Sequence, residues 1–245
     1  MAQNLNSATR LHRLLQQAEN HANDKQVMET WAKIFAITEP RANKRALLVA
    51  ERLAAMLREL EQIQTQMRQA DFSDSLYASA LTNIEQCLSS MLLSGSWSQV
   101  KQYLQRETLI ALAFCSEIIP DEESDISPGA LTEISNLVGE LRSSLLEADI
   151  SPRLRKLIEH HIALIEGAIA EYPIAGAKAF REAARTGLGE LIEVRDVLKE
   201  EKNSPPVSKL DTVWKRVNET ADIALKAERI SQLGQKAWAL LENLL

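Results

Sequence analysis

The chain has 245 residues, 45% hydrophobic and 25% charged, which excludes a disordered chain and allows one large core or two modest ones. Eight Gly, seven Pro and 4% aromatic residues, against a background of Leu, Ala, Glu, Gln and Arg, exclude a strand-rich fold and predict an all-α one. The net charge of −6 is uneven: residues 71–150 carry 3 Lys and Arg against 13 Asp and Glu, whereas residues 1–70 and 151–245 stand near neutrality at +3 and +1.

An acidic middle third repels nucleic acid and suits a protein partner of basic character, although the same charge also serves as a solubilising surface. Cys87 and Cys115 lie in apolar helical runs and read as small hydrophobes, with no C-x-x-C pair or disulfide framework. The opening MAQNLNSATRLHRLLQ lacks the apolar core of a secretion signal, and no apolar run is long enough to span a membrane. These features predict a cytoplasmic, bacterium-like protein.

In chain order, a first short helix is expected over residues 7–22 with Ser7 as its cap. A second, capped by Asp24, runs through Trp31 to Ile37, and Pro40 ends the pattern. The third is long, over 42–70. Its apolar residues Ala46, Val49, Leu53, Met56, Leu60, Ile63 and Met67 alternate spacings of three and four, a heptad seam that predicts a coiled-coil-like contact. The partner is expected to be another helix of this chain, with a homo-oligomer the alternative. Arg41, Lys44, Arg45 and Arg52 form a basic patch at its start, read as a solvated face because few aromatic residues accompany it.

A fourth helix is expected over 74–93 and a fifth over 97–118, whose LIALAFCSEII stretch is apolar nearly all round and predicts a buried central helix. Residues 120–129, PDEESDISPG, form the internal boundary, separating an N-terminal helical subdomain (1–119) from a C-terminal one (130–245). A solvated linker is the plain expectation there. Asp121, Glu122, Glu123 and Asp125 are the candidates for docking a basic partner. Ser127-Pro128 starts a sixth helix over 129–147, and Ser151-Pro152 opens a helical hairpin over 151–202, broken at Pro173-Ile-Ala-Gly176. The last helix begins near Leu210. Its apolar tail KAWALLENLL, with Trp238, docks on the core or meets a partner. The sum is a multi-helix bundle of about nine helices in two packed halves.

The chemistry-bearing residues concentrate in the hairpin. The apolar seam of its first arm, Leu154, Ile158, His161, Ile165 and Ala168, turns His161 inward and His160 about 100° away. A hydrogen-bonded core histidine is the expectation for His161. His12 and His21 are remote and no H-E-x-x-H is present, so no metal or cofactor is expected. The second arm buries Ala177, Phe180, Ala184, Leu188, Leu191 and Leu198. Gly167, Gly187 and Gly189 lie inside helices, where close backbone approach is the expected reason, with Gly187 letting a neighbouring helix, or in the alternative a ligand, sit tight.

Two resemblances attach to this region. Arg155 and His160 form an R-x4-H spacing that resembles the signature of HEPN ribonucleases, which are also all-helical. That resemblance implies metal-independent RNA cleavage, with Arg155 holding the phosphate and His160 acting on the 2′-hydroxyl. The family's small polar residue after the Arg is replaced here by Lys156. The segment Ser151–Ala183, most distinctive at Tyr172, Ile174, Gly176 and Arg181, resembles uncharacterised all-helical bacterial proteins and carries no activity with it. The expected function is a non-enzymatic helical protein-protein interaction or regulatory protein, in a bacterial defence, toxin-antitoxin or immunity setting that comes from the resemblance. The HEPN-like ribonuclease is the alternative.

Overall fold

The computed structural model describes residues 5–194, 198 and 204–225. Every regular element among them is helical. The chain divides into two compact units, one of Met1–Glu122 with Pro173–Gly176, the other of Glu123–Tyr172 with Ala177–Leu245.

The first unit opens with α1 (Ser7–Glu19). Its cap is Asn6, one residue before the expected Ser7. The Asn6 side chain accepts from Thr9 N at 3.0 Å and donates to the carbonyls of Ser116 and Ile119 at 2.9 Å, a triple role that a serine hydroxyl cannot fill. Helix α2 (Val27–Ile34) is shorter than the sequence suggests, and Asp24 does not cap it. Its start is held by backbone instead: Val27 N donates to Gly95 O and Trp97 N to Lys25 O, closing an antiparallel bridge between Gln26 and Ser96.

Helix α3 (Ala42–Gln69) is the long one. Val49, Leu53, Met56, Leu60, Ile63 and Met67 are buried as their spacing predicts, and Ala46 is half-buried. The seam is covered within the unit, by α1, α2, α4 (Ala78–Cys87) and α6 (Arg106–Ile118). Each such Leu or Ile contributes about 1.5–3 kcal/mol by leaving water.

Two expected helices are divided. The stretch 74–93 becomes α4 flanked by 3-10 turns at Asp74–Leu76 and Ser90–Leu92. The stretch 97–118 becomes α5 (Trp97–Lys101) and α6, because Tyr103 N and Leu104 N bond to carbonyls only three residues back and end the first piece. Trp97, Val100, Leu104 and Leu112 stay buried across the break, so the apolar period does not mark it. Helix α6 is also not the fully buried helix expected. Leu109, Leu112 and Cys115 face the core, but Ile110 is 58% exposed and Phe114 half-buried.

Among its described residues the second unit is an up-down-up-down arrangement of α7 (Pro128–Glu147), α8 (Pro152–Ala175), α9 (Ala177–Glu193) and α10 (Pro205–Ala224). The order follows from the cross-helix pairs. Arg142 meets Glu166, Tyr172 meets Phe180, Arg181 meets Asp222, and Arg216 and Lys209 meet Glu133 and Glu140 in turn. Ser127 caps α7, accepting from Ala130 N, with Pro128 in the first turn as expected. The hairpin break is narrower than the sequence suggests. Helix α8 runs through Pro173 to Ala175, and only Gly176, at φ 67°, leaves helical geometry.

Candidate functional site

Several titratable side chains meet in the middle of the second unit's bundle. His161 on α8 has no exposed side-chain surface, while the His160 ring is half in water. Trp214 Nε1 on α10 donates to His161 Nδ1 at 3.2 Å, with the two rings edge to face. That bond assigns the proton of the neutral imidazole to Nε2. His161 Nε2 faces Glu190 Oε2 at 3.7 Å, and Glu190 Oε1 lies 3.1 Å from His160 Nε2. One carboxylate on α9 therefore faces two imidazoles on α8 but is hydrogen-bonded to His160 alone, with His161 Nε2 and Glu190 Oε2 both buried without a hydrogen-bond partner.

Burial pushes His161 down to about 4, against the attraction of Glu190 and helped by His160. Its imidazole is neutral near pH 7. Close packing explains the depth of the site: Gly187, one turn before Glu190, lets the Trp214 ring lie directly on the α9 backbone. Gly167 and Gly189 differ, since a methyl group at either would meet nothing within 4 Å. The close approach of a helix expected at Gly187 is found there. Glu190 and Trp214 were not legible as members of this cluster, because nothing in a single sequence ties positions 161, 190 and 214 together.

Arg155 and His160 take different partners. The Arg155 guanidinium donates to the carbonyl of Leu145 and, at 2.9 Å, to that of Ala148, closing the C-terminal end of α7. His160 sits with Glu190, so the structure does not bring the two members of the R-x4-H spacing onto one group.

The acidic boundary segment is built into the fold. Glu122 accepts from Arg10, Ser7 and Gln62, and Asp121 accepts from Leu5 N. In the second unit Glu123 is buried and accepts from Ala177 N at 2.5 Å, at the start of α9. Asp125 receives the Tyr172 hydroxyl, which itself accepts from Ile126 N. Burial, with the Asp125 carboxylate beside it, pushes Tyr172 up to about 12. These four acids have partners inside the chain. Trp238 lies outside the described residues.

The positions that carry the bacterial resemblance have structural partners. Tyr172 holds the boundary segment, Ile174 enters the core of the first unit, Gly176 makes the turn, and Arg181 pairs with Asp222 at 3.4 Å. Three cations of the basic patch are paired: Arg41 and Lys44 with Glu39 and Arg45 with Glu29, and the Arg41 contacts hold Glu39 down at about 2. Burial raises Cys87 to about 12 and Cys115 to about 11, so both thiols stay protonated. Among the described residues no group of three His, Cys, Asp or Glu side chains is arranged to hold a metal ion, and no helix is long and apolar enough to cross a membrane.

No protein-family model, curated protein or solved structure matches this chain.

Proposed function

We propose that this chain is a helical protein-protein interaction protein of the regulatory kind, acting through the faces of its helices. The observation that carries the reading is the set of large apolar side chains left in water on helices that otherwise bury theirs. Ile110 on α6 is 58% exposed, Leu146 on α7 82% and Ile223 on α10 78%. Exposed apolar surface marks contact with another molecule where it is contiguous, and on α6 Ile110 has the Phe72–Phe114 ring pair one turn away. The structural roles of His161 and Arg155 support the same reading. The buried ring fixes the packing of α8, α9 and α10, and Arg155 closes a helix end.

Affinity capture with the intact tagged chain, followed by cross-linking, tests the proposal. A protein recovered in fixed stoichiometry is the expected result. The ribonuclease alternative makes the opposite forecast. If the purified chain cleaves RNA and His160→Ala abolishes the cleavage while leaving the melting curve unchanged, the interaction reading is replaced.

A further inference from the structure

Resting on that interaction reading, we infer that the exposed face of α6, with Phe72 laid against it, is the docking surface for a basic amphipathic helix of a partner protein. Ile110 and Phe114 stand one turn apart on α6, Ile110 58% exposed and Phe114 partly buried with its inner edge packed against the core. The Phe72 ring meets Phe114 edge to face at 5.5 Å and remains 42% exposed. The ring pair and Ile110, one helical turn from Phe114, form an apolar ridge on this side of α6. The backbone is bent to keep it there. Asp71, just past α3, adopts a left-handed φ of 53°, and this turn returns Phe72 to α6. An L residue in that region is uncommon, and here it holds an aromatic ring against a second ring without taking it out of water.

The charge around the ridge selects the occupant. Glu107 and Glu117, both exposed, lie on α6 on either side of Ile110, and exposed Asp71 adjoins Phe72. Arg106 at the start of α6 and Arg68, whose Nε is bonded to Gln64 O, are the cations nearby in sequence. Carboxylates flanking an apolar ridge complement a helix with Leu, Ile or Met at helical spacing and Lys or Arg beside them. The same carboxylates repel nucleic acid and an anionic lipid surface. A second copy of this chain is a poorer fit, because the basic cluster Arg41, Lys44 and Arg45 is already paired with Glu39 and Glu29.

The test uses the intact chain and a fluorescent synthetic amphipathic helix of Leu and Lys, with a Leu and Glu helix of the same pattern as control. Fluorescence anisotropy should show binding of the first and not of the second. Phe72→Ser with Ile110→Ser should weaken it about tenfold or more at an unchanged melting temperature. Glu107→Gln with Glu117→Gln, which leaves the ridge intact, should weaken binding and flatten its salt dependence. Equal affinities for wild type and both variants overturn the proposal, as does light scattering that shows a dimer lost in the Phe72, Ile110 variant. That variant also separates the two readings. If it captures the same cellular partner as wild type, this surface is wrong and the interaction function stands. If wild type captures nothing, the function falls with it.

Discussion

A Cβ placed on Gly187 of α9 would lie 2.5 Å from Cζ2 of Trp214 on α10, closer than carbon atoms approach. Trp214 is fully buried and hydrogen-bonded to His161, so the ring has nowhere to retreat without breaking that bond. Gly187→Ala should destabilise the chain by about 1–3 kcal/mol, net of the helix propensity it gains. Gly189→Ala, at an exposed position where the methyl meets nothing, should stabilise it by up to about 1 kcal/mol. Urea unfolding of both variants decides it, and equal shifts of the same sign would refute the packing argument.

The contrast between those two glycines shows what a single sequence can and cannot reveal. Both occupy helix interiors, and the close approach expected at Gly187 is there; only the fold tells that the neighbour is Trp214 of α10 and that Gly189 faces water. Periodic features were legible: the α3 seam, the inward phase of His161 and the Ser127-Pro128 start all follow from local spacing. Features set by distant residues were not. The break between α5 and α6 has no Gly or Pro to announce it, and the apolar run in α6 reads as buried although Ile110 faces water and Phe114 and Ile118 are only partly covered. The acids at 121–125 looked like a solvated linker because their partners, among them Leu5, Arg10, Tyr172 and Ala177, are far away in sequence.

His161 makes stability depend on acidity. Its folded value of about 4 lies below the ordinary 6.5, so between these limits the unfolded chain binds a proton that the folded chain refuses. The stabilising contribution is present above pH 6.5 and is lost as pH falls toward 4, about 3 kcal/mol in all. Protonating Nδ1 would also set two donors against each other at Trp214 Nε1. Glu190 and His160 are the ionisable groups facing the ring, and His12, lowered by burial, adds in the same direction. Denaturant unfolding across this window should show a shallower pH slope for His161→Gln than for wild type. An identical slope would assign the acid sensitivity to other groups.

Ala36 offers a gain. It follows α2 at φ 53°, is exposed, and has no side chain able to compensate for left-handed backbone. Glycine relieves that strain, and the relief outweighs the extra freedom it gives the unfolded chain. Ala36→Gly should raise stability by about 0.5–1 kcal/mol, while Ala36→Val should lower it by more than that. Thermal melts of the pair test the sign. A loss on Ala36→Gly would show that the turn is held in place without strain.

Arg10 is the residue whose loss should be costliest in the first unit. It is 4% exposed, and its Nη2 donates to Glu59 at 2.8 Å and to Glu122 at 3.0 Å. Its Nε donates to the carbonyl of Ile174 at 2.9 Å, so one guanidinium joins α1, α3, the boundary segment and the Pro173–Gly176 segment. Arg10→Met keeps the stem but leaves two carboxylates in a site that excludes water, a change expected to cost about 3–5 kcal/mol. Arg10→Lys keeps the charge without the planar fork and should fall between it and wild type. A cycle with Glu59→Gln isolates the pair, with a coupling of about 1–3 kcal/mol expected. If Arg10→Met unfolds within about 0.5 kcal/mol of wild type, the cluster is not what holds residues 173–176 to the first unit, and burial of Ile174 alone must do so.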